Sequence, residues 1–250
     1  MHNNRGMFDF LLSIVVLTTV VVFLSGCERK ETLEKDTPVA VPGAKPIKIM
    51  PLGDSITQSD SKHNSYRRNL WQKLGAGGYN VDFVGSQTKH CCWGSPPNPD
   101  FDLNHEGHWG WRTDQILDKI DQWAVVYKPD IVLIHLGHND IFKGDSIHST
   151  INELGDIINI LRSHNTKVVV LLAQLIPTHP QSDSISKLNA EIPKLARSKS
   201  TVESPVIIVN QDDGFCANLD TYDGVHPNGS GEEKMANQWY KAIVKILKKP

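Results

Sequence analysis

The sequence predicts an α/β fold: a flavodoxin-like three-layer sandwich in which helices cover both faces of a five-stranded parallel sheet. Three observations predict it. Short, β-rich apolar runs alternate with longer stretches of helical periodicity from residue 46 onward. Those runs are apolar at successive positions rather than alternate ones, as strands buried on both faces require. Turns carrying serine or asparagine follow two of the runs, where an open α/β sheet presents its chemistry.

The elements follow in chain order. Ile47–Leu52 is the first strand, and it runs into Gly53-Asp54-Ser55-Ile56-Thr57. Tyr66–Leu74 is helical, with Leu70, Trp71 and Leu74 on one face. Val81–Val84 is the second strand, and Thr113–Trp123 the next helix, its apolar side carrying Ile116, Leu117 and Ile120. Ile131–Leu136, the third strand, leads into Gly137-His138-Asn139-Asp140. Helix Ser146–Ser163, strand Val168–Leu172, helix Ser184–Ser198, strand Val206–Val209 and helix Glu232–Leu247 complete the chain. Gly144-Asp145-Ser146-Ile147 repeats the letters of the first turn, but no strand precedes it. Asp145 or Ser146 is therefore the N-cap of a helix, and Ser146 has no catalytic role.

Residues 1–26 read as a leader. Met1 to Arg5 is a short basic start and Phe10 to Leu24 an almost unbroken apolar run. As a helix that run spans about 22 Å, short of the roughly 30 Å hydrocarbon core of a bilayer. It ends in Leu24-Ser25-Gly26-Cys27, which resembles a bacterial lipoprotein signal. The resemblance implies a lipidated Cys27 and an exported, membrane-anchored chain on a periplasmic or cell-surface face. Residues 27–45 are charged, contain Pro38 and Pro42 and lack apolar periodicity, the pattern of a flexible tether. Residues 46–250 form the folded domain.

A formal net charge of −2 argues against nucleic acid as a partner. Beside Cys27 stand Cys91, Cys92 and Cys216; export permits a bridge from Cys216 to Cys91 or Cys92, and the pairing stays open. His90-Cys91-Cys92 lacks the usual spacing of zinc ligands, and His105-Glu106-Gly107-His108 is one residue short of the helical zincin pattern. No metal or other cofactor is expected.

Ser55, at the carboxyl end of a buried strand, is the candidate nucleophile, and it needs a base, an orienting acid and an oxyanion hole. Asp223-Gly224-Val225-His226-Pro227 presents a carboxylate and an imidazole from one loop. Asp223 would hold Nδ1–H while Nε2 faces Ser55; alone, the same residues also suit a plain helix-entry loop. Asn139 offers a side-chain N–H and Gly110 a backbone N–H to a developing oxyanion. Asp140 caps the next segment or buttresses the loop. Trp109, Trp111 and Arg112 are expected in a pocket wall, aromatic faces suiting sugar rings as well as core packing. His105, Glu106 and His108 read as scaffolding. No Gly-x-Ser-x-Gly elbow occurs.

In this order the clusters resemble the SGNH hydrolases, also called GDSL-type esterases: Gly53-Asp54-Ser55, Gly110, Gly137-x-Asn139-Asp140 and Asp223-x-x-His226 match four of the family's blocks. The resemblance spans about residues 46 to 248. It implies the SGNH hydrolase fold and a Ser55, Asp223, His226 triad. The oxyanion donors it implies are the Ser55 and Gly110 backbone N–H groups and the Asn139 side chain, with Asp54 and Asp140 in support. Met50 to Thr57, Tyr66-Arg67, Val81 to Ser86 and His105 to His108 resemble the acetyl xylan esterases of the third carbohydrate-esterase family more closely. Departures are His138, where the family often has threonine, and the segment Lys89 to Asp102. The implied activity is removal of acetyl groups from a polysaccharide such as xylan. The alternatives are a GDSL-type lipase, lysophospholipase or thioesterase, and a catalytically silent glycan-binding lipoprotein.

Overall fold

A computed structural model describes residues 45–179 and 181–247. The expected leader, Cys27 and all of the tether but Lys45 lie outside the described residues. The expected strands and helices all form, with ends shifted by a few residues. Strand β1 is Ile47–Gly53, followed by a one-turn helix α1 (Ser55–Gln58), α2 (Ser65–Ala76) and β2 (Val81–Phe83). Then come β3 (Glu106–Gly107), α3 (Thr113–Tyr127), β4 (Ile131–His135), α4 (His138–Lys143) and α5 (Ile147–His164). The chain closes with β5 (Val169–Gln174), α6 (Ser182–Lys199), β6 (Val206–Asn210), α7 (Ala217–Asp220) and α8 (Gly229–Ile246).

The sheet is parallel throughout, in the order β2-β1-β4-β5-β6, which is the flavodoxin-like order expected. It has six strands rather than five. The two-residue β3 pairs beside the end of β1, Leu52 opposite Glu106 and Gly53 opposite Gly107. A Glu-Gly pair carries no strand periodicity, so only the tertiary pairing reveals it. The short helices α1, α4 and α7 escaped for the same reason, being too brief for a 3.6-residue pattern.

Both faces of the strands are buried, and side-chain alternation divides them cleanly. Val132 and Ile134 of β4 and Val170 and Leu172 of β5 join one core with Ile116, Ile120, Leu154 and Leu188 from α3, α5 and α6. Ile131, Leu133, Leu171 and Ala173 face the other core, with Leu70, Leu74, Met235 and Trp239 from α2 and α8. Ser146 accepts from Ser149 N–H as the N-cap of α5, as expected. Asn228 caps α8 through Ser230 and Gly231 N–H, so that helix starts earlier than its apolar pattern. Cys91, Cys92 and Cys216 are free thiols, so neither bridge from Cys216 is present; the Cys91 and Cys92 sulfurs lie 3.0 Å apart.

Candidate active site

The first βα turn is built for close approach. A Cβ on Gly53 would fall against Thr57 Oγ1 and 2.5 Å from the His135 carbonyl oxygen, so only glycine lets β1 pass into α1 here. Asp54 caps α1 by accepting from Ile56 N–H at 2.9 Å, and this sets Ser55 at the first helical position. The other end of α1 is held by Arg67, fully buried, whose Nε donates to Thr57 O at 2.9 Å and whose guanidinium also reaches Gln58 O and Leu103 O. Burial lowers Arg67 to about 10, so it keeps its charge while satisfying those carbonyls.

Ser55 meets the loop between α7 and α8. His226 Nε2 lies 3.0 Å from Ser55 Oγ, and His226 Nδ1 lies 2.7 Å from Asp223 Oδ2. Asp223 Oδ1 accepts from the Val225 and His226 backbone N–H groups, closing the loop around the carboxylate. Burial pushes Asp223 up, but these hydrogen bonds and the imidazole outweigh it, and its carboxyl sits below the ordinary value. An anionic acid, an imidazole and a hydroxyl are thus in hydrogen-bonded sequence.

Ser55, Gly110 and Asn139 line one cavity of roughly 210 Å³ together with Asp54, Ile56, Trp109, His138, Phe142, Val225 and His226. Gly110 has φ +77°, a conformation that favours glycine. One Asn139 Nδ2 hydrogen donates to Trp111 O at 2.9 Å, tying α4 to the Gly110 turn; the amide's second hydrogen is the one a ligand can use. Trp109 N–H donates to Gln58 Oε1, which anchors the same turn to α1. Asp140 does buttress the region: it accepts from Thr113 N–H and from the Thr113 hydroxyl at the start of α3.

Two pocket-wall expectations are corrected. Trp111 turns inward, stacking on His108 at 4.3 Å and lying 6.3 Å from Trp123, where it packs against the core beside α3. Arg112 pairs with Asp114 at 2.7 Å and Asp145 at 3.0 Å, since both carboxylates flank its position at the N-cap of α3. Neither lines the cavity. Trp109 does, with its ring stacked on His226 at 4.7 Å. Scaffolding is what Glu106 and His108 provide: Glu106 accepts from Ser86 N–H and Oγ–H and pairs with His108 at 2.8 Å. Among the described residues no group of histidine, cysteine and carboxylate side chains is placed to hold a metal.

Beneath the nucleophile lies a buried acid and imidazole. His138 Nε2–H donates to Ile176 O at 3.0 Å, so Nδ1 carries its lone pair toward Asp54 Oδ2, 3.9 Å away. Neither atom has a hydrogen-bond partner among the described residues. Burial raises Asp54 to about 7, the Ile56 N–H opposing it and Asp140 adding to it, while burial lowers His138 to about 4. Burial thus disfavours the charged form of both groups. Sequence reading did not single out Tyr222, His63, Asp60 or Glu232 around the site. Tyr222 directly precedes Asp223, and that adjacency is the one sequence signal available for any of them.

Comparisons with known proteins bear on the family and the fold. The sequence model of the GDSL-like Lipase/Acylhydrolase family matches residues 52–234. A multidomain esterase of Ruminococcus flavefaciens is 32% identical over 227 residues, covering 81% of this chain and 29% of that protein's length. The chain therefore spans less than a third of that relative. A crystal structure of an acetyl esterase mutant with acetate ion is similar at TM-score 0.70 and 33% identity, over 80% of this chain and 97% of that one. A carbohydrate esterase family 3 structure from Talaromyces cellulolyticus gives TM-score 0.71 and 34% identity, over 80% and 97% of the two chains.

Proposed function

This chain belongs to the GDSL-like lipase/acylhydrolase family and is an esterase in kind, and on that premise we propose that it removes acetyl groups from a polysaccharide through a serine acyl-enzyme. The observation that carries the reading is the Asp223–His226–Ser55 sequence of contacts, 2.7 and 3.0 Å long. His226 Nε2 takes the Ser55 proton as Oγ bonds to the ester carbonyl carbon, and the carbonyl π pair moves onto oxygen. Ser55 and Gly110 backbone N–H groups and the Asn139 amide receive that oxyanion. His226 then protonates the departing sugar oxygen, and water repeats the cycle on the acetyl-enzyme. No residue role in this scheme needs a metal.

Support for a small acyl group comes from the roughly 210 Å³ cavity, below the roughly 300–1,000 Å³ of pockets that take drug-sized ligands. Support for a carbohydrate comes from the family 3 similarity. Residues 1–26 serve as an export signal in this reading and lipidated Cys27 as the anchor, with the tether lifting the domain from the membrane face. Cys27→Ala would then move the protein out of the membrane fraction.

The test is acetate release from a panel of acetylated polysaccharides, xylan among them, with wild type and Ser55→Ala. We expect Ser55→Ala to lower kcat by about 10⁴-fold or more. Equal acetate release by both would end the proposal. A long-chain p-nitrophenyl ester hydrolysed faster than p-nitrophenyl acetate would favour the lipase alternative, and glycan binding with no acetate release the silent lipoprotein.

A further inference from the structure

We propose that Trp109 and Tyr222 clamp the two faces of the His226 ring, as positioning residues that keep it in the plane of the Asp223–Ser55 relay and stabilise the imidazolium formed during acyl transfer. The inference rests on the acyl-transfer reading above. Hydrogen bonds fix only the edges of an imidazole; rotation about its side-chain torsions and tilting of its plane are opposed by whatever covers its faces. Here two near-parallel rings stack against it. The Trp109 ring stacks on His226 at 4.7 Å with planes 17° apart, and Tyr222 lies 5.7 Å away with planes 16° apart.

The two rings line different cavities, and from this we place them on opposite sides of the imidazole. Trp109 lines the cavity that holds Gly110 and Asn139, whereas Tyr222 lines a separate small cavity with Ser59, Ser65, Tyr66 and Glu232. Ser55 and His226 line both, so the relay is the partition between them. Each outer ring is itself held. Trp109 is anchored by its backbone bond to Gln58 Oε1 at 2.8 Å. Tyr222 stacks on His63 at 4.1 Å with planes 6° apart, and its hydroxyl donates to Asp60 Oδ2 at 3.3 Å, while Asp60 Oδ1 pairs with His63 at 2.8 Å. Four near-parallel rings therefore run Trp109, His226, Tyr222, His63 across the mouth of the site.

The electrostatic consequence follows from the aromatic quadrupole. When His226 Nε2 accepts the Ser55 proton the ring becomes a cation, and a π face above and below attracts it. The proton balance is that of the ordinary cycle: it moves from Oγ to Nε2 and on to the leaving oxygen, with the positive charge on the ring in between. The other titratable groups facing the ring are Asp223 from its own loop, Asp54 and His138 across the cavity, and Glu232 from α8, with Asp60 and His63 beyond Tyr222. Replacing Trp109 removes no hydrogen bond from any of them; replacing Tyr222 by leucine also frees Asp60 Oδ2 and uncovers His63, and Tyr222→Phe separates these effects.

Trp109 and Tyr222 are 38% and 41% exposed, so their replacement opens no core cavity. The experiment measures kcat, KM and the pH profile of acetyl-ester hydrolysis for Trp109→Leu, Tyr222→Leu, the double variant and the ring-keeping Trp109→Phe and Tyr222→Phe, with Ser55→Ala alongside. Each leucine should lower kcat about two- to fivefold with KM little changed and move the acid limb about half a pH unit lower. The double variant should do more than either, and phenylalanine should restore kcat and the limb. Tyr222→Phe keeps the stacked face and loses only the bond to Asp60, so a limb displaced equally by Phe and Leu would overturn the clamp. So would leucine variants with wild-type kcat and acid limb, or with raised KM alone, the signature of a surface that stacks on substrate. If Ser55→Ala stays active, the acyl-transfer reading fails and takes the clamp with it; if it is inactive, a failure of the clamp stands alone.

Discussion

Asn139 lines the cavity beside Ser55 while one hydrogen of its amide holds Trp111 O, and in the proposed mechanism the other receives the oxyanion. Asn139→Ala should therefore lower kcat by about 10²–10³-fold with a much smaller change in KM, read from initial rates on p-nitrophenyl acetate. Asp54 makes a different prediction. Its folded-state value of about 7 lies above the 3.8 of an unperturbed aspartate. Below pH 3.8 both folded and unfolded chains hold the proton; between the two values the unfolded chain releases it first, so stability falls as pH rises. The loss reaches on the order of 4 kcal/mol once pH has passed about 7. Asp54→Asn keeps an acceptor for Ile56 N–H and turns a donor toward His138 Nδ1. It should raise the melting temperature at pH 8 and hardly at pH 4, and an equal change at both would refute the raised Asp54 value. Ser55 and Asn139 were legible because turns after apolar strands carry them, whereas Gly110, Asp223 and His226 were legible only through the ordered resemblance to a family. Tyr222 and Glu232 were not, since an aromatic before an aspartate and a glutamate in a helix are common in any chain. The inward turn of Trp111 was illegible for a related reason: neighbouring tryptophans look alike until an aromatic slot claims one of them.

At the scale of elements, α1 is a single turn that cannot hold itself together, because one turn satisfies almost none of its own backbone groups. Its stability comes from outside: Asp54 at the front, Arg67 at the back and β1 behind. Gly53→Ala would drive a Cβ against Thr57 and the His135 carbonyl, and should cost about 3 kcal/mol in chemical denaturation, with kcat falling as Ser55 shifts. The same activity with unchanged stability would mean that the turn has room the structure denies it. The long strands and helices were readable because they carry a repeating pattern over many residues. The pairing of β3 beside β1 was not, as it depends on a register between segments far apart in sequence.

Across the whole molecule, two cores share one sheet, and the site stands at the end of its middle strands where four separate loops meet. Trp239 is fully buried in the core that joins α8 to α2 and the sheet. Trp239→Ala should cost about 3–5 kcal/mol, with esterase activity and far-UV circular dichroism lost at the same denaturant concentration. By contrast, the 89%-exposed Trp93 should tolerate alanine within about 0.5 kcal/mol. Local composition by itself determined the long strands and helices and that the sheet is parallel and buried on both faces, and it marked short turns as candidates for reactive groups. Those are properties of neighbours along the chain, where apolar period and turn chemistry act directly. Only the tertiary structure decided that Trp109 and Tyr222 both stack against His226, that Asp54 lies 3.9 Å from His138, and that Arg67 closes the nucleophile turn. Each is a contact between distant segments, set by how the layers pack rather than by any residue's own preference.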